Sequence, residues 1–219
     1  ESKVKLIMKI GLPAGFQGAI FSVSNVLIQS SINSFGSIAM AGSTASANVE
    51  GFVYNAMNAV YQTALSFTSQ NYGAGKMNRV TKILLYCLGL VVMVGAVMGG
   101  GAVLIGPKLL QIYSSDPEVI SYGMMRMRII NGSYFLCGIM DTMVGGLRGL
   151  GYSVVPMLVS LPGACLFRVV WIFSVFAMHR TLTTLYISYP VSWIITFTAH
   201  IICYIVIRKR IAARRKPRD

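Results

Sequence analysis

Residues 47–76 read ANVEGFVYNAMNAVYQTALSFTSQNYGAGK, and the interpretation of the whole chain starts from this stretch. Its first part has the length and apolar content of a membrane-spanning helix, yet it carries a glutamate, three asparagines and two glutamines. Glu50 is the costliest of these residues, because a carboxylate at bilayer depth is strongly unfavourable unless it is protonated, paired or hydrated. Glu50 is therefore a candidate functional residue.

The composition of the chain is that of a membrane protein. Its 219 residues are 55% hydrophobic and only 11% charged, whereas soluble domains have roughly 25% charged residues. The net charge is +13, but no nucleic-acid partner is expected, because many of the basic residues directly follow an apolar segment. They indicate a cytoplasmic anchor that contacts anionic membrane lipid. These tail residues are Arg208, Lys209, Arg210, Arg214, Arg215, Lys216 and Arg218.

Apolar segments separated by clear breaks predict the architecture. Each segment is long enough to cross a bilayer, which takes about 20 helical residues. Breaks rich in Gly, Pro, Asn and Ser separate them, as at 33–36, 71–76 and 114–117. The sequence predicts an all-α membrane protein with a six-helix transmembrane bundle in residues 1–207 and a basic cytoplasmic tail in 208–219. The six segments are roughly 8–32, 38–68, 81–105, 119–147, 153–178 and 184–207.

Lysine and arginine placement predicts the orientation. With six spans, both ends lie on one side of the membrane, and that side holds most of the basic residues, including Lys3, Lys76, Arg148 and the tail. The opposite side has Lys108 and Arg180, with Arg126 and Arg128 near the start of the fourth segment. The positive-inside rule therefore predicts that both ends are cytoplasmic.

The second segment is polar on two faces. At about 100° per residue, one broad stripe carries most of its amides, and Glu50 lies on another face with Tyr54 and Tyr61. Polar groups facing lipid are costly, so we expect this helix to be central, with the amide stripe lining a substrate cavity. As an alternative, the amides join helices by hydrogen bonds and Glu50 pairs with Arg168. The stripe residues predicted to line the cavity are Asn48, Asn55, Asn58 and Gln62.

Asp141 in the fourth segment is the second candidate acid. It shares a helical face with Tyr134 and with Arg148, to which its carboxylate could pair. Glu50 and Asp141, with Tyr134, are the predicted sites for a coupling proton or Na⁺. Arg168 is interpreted as a structural charge. No catalytic arrangement, cofactor motif or other metal-ligand cluster is apparent, so an enzyme is not expected.

Taken together, the motifs resemble those of the C-terminal half of bacterial MATE (multidrug and toxic compound extrusion) transporters, and the resemblance covers essentially the whole chain. Their order and spacing together carry the resemblance. The chain also begins at Glu1 without a methionine, as expected for part of a longer polypeptide. The motifs are Gly11-Leu12-Pro13, residues 32–36 (INSFG), 69–76 (SQNYGAGK), 116–120 (DPEVI) and 148–151 (RGLG).

The resemblance implies twelve transmembrane helices in two bundles related by a pseudo-twofold axis, with this chain as the second bundle. It also implies a multi-pass protein of the bacterial inner membrane that exports drugs or other amphipathic organic cations by alternating access, coupled to entry of Na⁺ or H⁺. Well-known members of one subfamily carry a cation-binding glutamate in the first helix of this half, where this sequence has Phe21. Asp141 is the candidate for the aspartate that those members have in the fourth helix.

Two other functions stay open at the level of sequence. The broader superfamily contains exporters of lipid-linked oligosaccharides, which would need a larger cationic cavity for pyrophosphate; Arg168 is the candidate residue here. The other alternative is a membrane scaffold that transports nothing. A scaffold predicts a salt-bridged Glu50 and no cavity open to water.

Overall fold

The computed structural model describes residues 3–215, and within that range it is helical and contains no strand. The predicted all-α fold is confirmed. Six helical rods, each made of one helix or of consecutive helices, run through the described part of the bundle: α1, α2, α3, α5 with α6, α7 to α9, and α10. The helices are α1 Lys3–Asn33, α2 Ser37–Gly73, α3 Met77–Leu104, α4 Gly106–Gln111, α5 Pro117–Ile130, α6 Tyr134–Gly149, α7 Val154–Ser160, α8 Phe167–Phe173, α9 Val175–Met178 and α10 Leu182–Arg215.

Two rods contain irregular turns that the sequence did not reveal. A 3₁₀ turn at Asn131–Ser133 separates α5 from α6, and a π-helical segment at Leu161–Leu166 separates α7 from α8. Pro162 lies in the π segment, where a wider turn accommodates the missing backbone donor of proline. Irregular turns of this kind often occur at functional sites, and both lie close to the cavity described below.

The end of the last rod also differs from the predicted boundary. α10 continues to Arg215 instead of ending at residue 207, so the first part of the basic tail is helical. Lysine and arginine are good helix formers, and nothing in this stretch terminates the helix. Residues 216–219 lie outside the described residues, and the cytoplasmic position of the tail stays a prediction.

The breaks predicted from sequence are where the helices end. Gly36 and Gly75 have φ values of 97° and 77°, in the left-handed region that favours glycine at helix ends. At the start of α5, the Asp116 side chain accepts a hydrogen bond from the Glu118 backbone N–H, with Pro117 in the first turn.

Helix α2 is the central element of the bundle, as predicted from its two polar faces. It packs extensively against α3, α5 and α6, and α6 in turn packs against α3 and α10. On one side of α2, Val53, Met57 and Ala64 form an apolar core with Cys87 and Val91 of α3. Helix α1 packs more loosely, against α2 and the rod from α7 to α8.

Among the described residues, four rods are long and apolar enough to cross a membrane: Lys3–Asn33, Met77–Leu104, Val154–Met178 and Leu182–Ala213. The other two are α2, which buries Ser43, Ser46, Glu50 and Thr68, and α5 with α6, which bury Arg126 and Thr142. Large apolar side chains such as Leu85, Val97 and Phe173 are exposed on the outside of the bundle, as expected of surfaces that contact lipid. The protein is therefore a multi-pass membrane protein, and charged side chains such as Glu50, Arg126 and Arg168 are turned inward.

Candidate functional site

A cavity of about 490 Å³ lies inside the bundle between α1, α2, α6, α8 and α10. This is within the size range of sites for drug-sized molecules. Four charged side chains line it: Glu50, Asp141, Arg148 and Arg168. Its apolar walls are largely aromatic, and the aromatic side chains that line it are Phe21, Tyr54, Tyr61, Tyr134, Tyr189 and Trp193.

Glu50 forms a two-pronged salt bridge with Arg126. The Arg126 Nε donates to Glu50 Oε1 at 2.8 Å, and Nη2 donates to Oε2 at 2.8 Å. Ser46 Oγ also donates to Glu50 Oε1 at 3.0 Å, and Arg126 Nη1 donates to Ser43 Oγ at 2.9 Å. Both charged residues are buried, with 6% and 7% of their surface exposed. The Glu50 carboxylate is thus fully engaged by its neighbours.

The alternative prediction that Glu50 pairs with Arg168 is wrong. Arg126 takes the carboxylate because α5 lies directly against α2, whereas Arg168 projects from α8 toward α10. The sequence interpretation counted Arg126 only as a topology charge near the start of the fourth segment. Arg126 lies within an apolar run, as Arg168 does, and this position was the signal that Arg126 is buried.

Two glycines let α2 and α5 approach closely enough for this pair. A Cβ on Gly42 would lie 2.5 Å from the Val119 carbonyl oxygen and 2.8 Å from the Gly123 nitrogen. Arg126 lies one helical turn after Gly123, so the close crossing places its guanidinium beside α2. Ser43, Ser46 and Glu50 follow at spacings of three and four residues, so they share the face that receives it.

Asp141 lies half-buried on the wall of the cavity and interacts with the side chain of Tyr54 on α2. The predicted pairing of Asp141 with Arg148 is not formed. Arg148 instead donates from Nη1 to the Tyr61 hydroxyl and from Nη2 to Gln17 Oε1, both at 2.8 Å. The structure therefore leaves Asp141 as the cavity carboxylate without a guanidinium partner among the described residues.

Tyr134 belongs to a row of aromatic rings along the cavity. Its ring centroid lies 6.5 Å from that of Tyr54 and 5.6 Å from that of Trp193, which in turn is 5.8 Å from Tyr189. Such spacings are typical of favourable aromatic pairs. The row leads from the surroundings of Asp141 to those of Arg168, so the structure brings the predicted Tyr134 and Asp141 to the same cavity.

Arg168 is buried, with 4% of its surface exposed, and has no carboxylate partner in the described part of the chain. Its Nε donates to Ser192 Oγ at 3.0 Å. The guanidinium lies 4.2 Å from the centroid of the Tyr189 ring and 5.9 Å from that of Trp193, within the range of cation–π contacts. Tyr189 and Trp193, one turn apart on α10, were not identified from the sequence.

The amide stripe of α2 does not converge on this cavity. Asn58 lines it, but Asn55 and Gln62 are exposed on the surface of the bundle. Asn48 lies in a separate, shallow depression beside Gln29 and Thr44. The seven-residue spacing from Asn48 to Asn55 and Gln62 keeps these three on one face, while Asn58 is turned toward the face of Glu50. Their role in substrate binding stays a prediction.

Phe21 lies at the position where the resemblance places a cation-binding glutamate of other transporters. The side chain lines the cavity from α1, and Gln17 lies one turn away on the same wall. The position therefore faces the cavity but supplies an apolar ring in place of a carboxylate. This leaves Glu50 and Asp141 as the acids among the residues that line the cavity.

Comparison with known proteins is consistent with these features. A family model described as MatE matches residues 13–174. The probable multidrug resistance protein NorM of Thermotoga maritima is 24% identical over 159 residues, a match that covers 73% of this chain and 34% of NorM. The chain thus spans much less than the full length of this relative.

Solved structures give the same fold. The Vibrio cholerae MATE transporter VcmN in its bent form matches with a TM-score of 0.83 at 20% identity, covering 93% of this chain and 46% of VcmN. The MATE transporter ClbM in complex with Rb⁺ matches with a TM-score of 0.81 at 17% identity, covering 92% of this chain and 46% of ClbM. Since the family model spans most of the residues and the fold is that of about half of these transporters, this chain belongs to the MATE family of membrane transporters.

Proposed function

We propose that this chain is the C-terminal bundle of a secondary antiporter that exports drugs or other amphipathic organic compounds by alternating access. The observation that carries the proposal is the cavity, in which a carboxylate without a guanidinium partner, Asp141, lies beside a row of aromatic rings. Aromatic walls suit flat amphipathic molecules, and an acid inside a membrane bundle suits a coupling cation. The family relationship to multidrug resistance proteins supports the same function.

Asp141 is the better candidate for the coupling site in this bundle. Both oxygens of Glu50 already accept hydrogen bonds from Arg126, so a cation or proton there would have to displace a guanidinium. Asp141 forms no ion pair or hydrogen bond with a guanidinium in the described part of the chain, and binding of H⁺ or Na⁺ would cancel its charge and favour a different bundle arrangement. The Rb⁺ held by ClbM agrees with a monovalent coupling cation.

The exposed polar face of α2 is the proposed contact with the rest of the transporter. Asn48, Asn55 and Gln62 lie on the surface of a helix that is otherwise central, a costly arrangement in lipid. We infer that this face is turned toward an N-terminal six-helix half of the same polypeptide. In this arrangement the protein lies in the bacterial inner membrane with both ends of the segment in the cytoplasm.

The substrate predicted from the resemblance is an organic cation, and one alternative substrate is favoured by an observation. Two guanidinium groups, those of Arg148 and Arg168, line the cavity. A lipid-linked oligosaccharide exporter would need such positive charges to bind a pyrophosphate.

The scaffold alternative predicts that no cavity is open to water. Thiol labelling at Asn58→Cys tests it, because this position lies on the cavity wall, and a fully protected thiol would favour the scaffold.

Efflux of a fluorescent dye from cells that express the complete transporter tests the proposal. We expect Asp141→Asn to reduce energy-dependent efflux by about tenfold or more, because a carboxamide neither takes up a proton nor neutralises Na⁺. Glu50→Gln should lower the amount of folded transporter, so efflux is normalised to protein in the membrane. Asp116→Asn and Glu118→Gln, which alter exposed acids at the start of α5, serve as matched controls.

Efflux at normal rates in both Glu50→Gln and Asp141→Asn would show that neither acid couples transport. The coupling site would then lie outside this bundle. Repeating the measurement with a Na⁺ gradient and with a proton gradient separately identifies the coupling ion.

A further inference from the structure

Arg168 is a buried guanidinium whose hydrogen-bonding capacity is mostly unused. Its Nε is bonded to Ser192, but no hydrogen bond or ion pair is made by its two terminal nitrogens in the part of the chain that the structure describes. A guanidinium has five N–H donors, and leaving a buried charge without a partner is costly. Since the side chain lines the cavity, these donors face the space where a ligand would bind.

We propose that Arg168 forms a subsite for a carboxylate group of the transported molecule. The proposal rests on the proposed function in taking the cavity as the substrate site, and it specifies the chemistry of one end of the substrate. The planar fork of a guanidinium matches a carboxylate with two parallel hydrogen bonds. The substrate is thus an amphipathic acid or zwitterion, in place of the simple organic cation predicted from the sequence.

The charges around the cavity support an anionic group. Glu50 and Arg126 neutralise each other, which leaves Asp141 against the two guanidinium groups of Arg148 and Arg168. The cavity therefore has an excess of positive charge, and it becomes more positive when Asp141 binds its coupling ion. With Asp141 ionised, a bound carboxylate restores neutrality, and with Asp141 neutralised by its coupling ion it leaves one positive charge instead of two.

The surroundings of Arg168 orient it for this role. Ser192 holds one edge of the guanidinium, and the Tyr189 ring lies 4.2 Å from it and supports one face. Both contacts hold the group in place without using its outer edge. Trp193, whose centroid lies 5.9 Å from the guanidinium, provides an apolar wall for the rest of the ligand. A monovalent carboxylate suits this mostly aromatic setting better than a doubly charged phosphate, whose desolvation costs more.

A binding measurement with a matched pair of probes tests the subsite. The probes are 1-pyrenebutyrate and 1-pyrenebutyramide, which share the aromatic body and differ in the charge of one end. Their fluorescence polarisation is measured with the complete transporter in nanodiscs, and the signal of empty nanodiscs is subtracted. We expect the parent protein to bind the carboxylate about tenfold more tightly than the amide, as charged hydrogen bonds allow.

Three variants define the role of the residue. Arg168→Met should abolish the preference for the carboxylate and leave binding of the amide unchanged, which also shows that the cavity is intact. Arg168→Lys should retain part of the preference, because it keeps the charge but loses the fork. Arg128→Met, which alters an exposed arginine of α5, should bind both probes as the parent does.

The proposal is overturned if the parent binds both probes equally, or if the preference survives Arg168→Met. Loss of both probes in Arg168→Met also overturns it, because Arg168 would then maintain the shape of the cavity. The assay uses no ion gradient, so its outcome is independent of whether Asp141 couples transport. A failure of the efflux experiment and a failure of this one are therefore distinguishable.

Discussion

Two arginines that are buried in the described part of the bundle have similar surroundings and opposite states of pairing. Arg126 and Arg168 are both almost fully enclosed, and both guanidinium groups lie near the Tyr189 ring, at 6.0 and 4.2 Å from its centroid. Arg126 is held by both oxygens of Glu50, whereas Arg168 has one hydroxyl, Ser192, and an open edge toward the cavity. Burial alone therefore does not tell a structural charge from a binding charge.

The elements that carry the two residues explain the difference. Arg126 lies on a regular helix that crosses α2 at a close glycine contact, so its partner is built into the packing of the bundle. Arg168 follows the π segment, on a short helix between two irregular turns. A charge on a tightly packed helix pair stabilises the fold, and a charge at an irregular segment beside a cavity is available to a ligand.

Replacement of Arg126 should have the largest effect on stability. Arg126→Met leaves the Glu50 carboxylate buried without its ion-pair partner, and breaking a buried pair in this way costs about 3–5 kcal/mol. We expect a lower melting temperature of the purified transporter and a smaller yield of monodisperse protein. Thermal unfolding followed by size-exclusion chromatography measures both.

Two further variants identify the cause of that loss. Glu50→Leu combined with Arg126→Met removes both charges and should recover most of the stability, because replacing a whole buried pair by apolar residues is often neutral. Arg128→Met, two residues away and exposed, should melt as the parent does. If Arg126→Met is as stable as Arg128→Met, the pair is not structural and Glu50 becomes a candidate ion site again.

The close contact of Gly42 with α5 offers a second way, with a smaller expected effect, to disturb the Glu50–Arg126 pair. A methyl group at Gly42 would overlap the backbone of α5, so Gly42→Ala should force the helices apart and cost about 1–3 kcal/mol. Gly51→Ala is the matched control on the same helix, because a Cβ there meets nothing within 4 Å. Carboxylate binding at Arg168 should be unaffected in both variants. Equal melting of the two would contradict the close crossing.

Local chemistry made most of the fold predictable from the sequence. The glycine-containing breaks at Gly36 and Gly75 and the capped start at Asp116 act within a few residues, so their effects can be read along the chain. The central position of α2 followed from its two polar faces, since neither can be turned to lipid. The irregular turns were not predictable, because they depend on how neighbouring helices pack.

The site was predictable only in part, for a physical reason. The sequence identified Glu50 and Asp141 by the cost of an acid in an apolar segment, and the cavity contains both. It did not reveal which arginine meets Glu50, because that choice depends on helix crossings between residues far apart in the chain. Tyr189 and Trp193 were not predicted as cavity residues, because an aromatic residue in an apolar helix gives no indication from sequence that it lines a cavity.

The smallest expected stability change is at Arg168, and it sharpens the contrast with Arg126 most. Removing a buried charge that lacks an ion-pair partner relieves a desolvation cost, so Arg168→Met should change the free energy of unfolding by less than about 1 kcal/mol or raise it. The measurement is the same thermal unfolding assay, in the absence of substrate, alongside Arg126→Met. A melting temperature as low as that of Arg126→Met would mean that Ser192 and Tyr189 make Arg168 a structural charge. A stable variant that has lost its affinity for the carboxylate would instead show that the protein keeps this charge for a ligand, at the expense of its own stability.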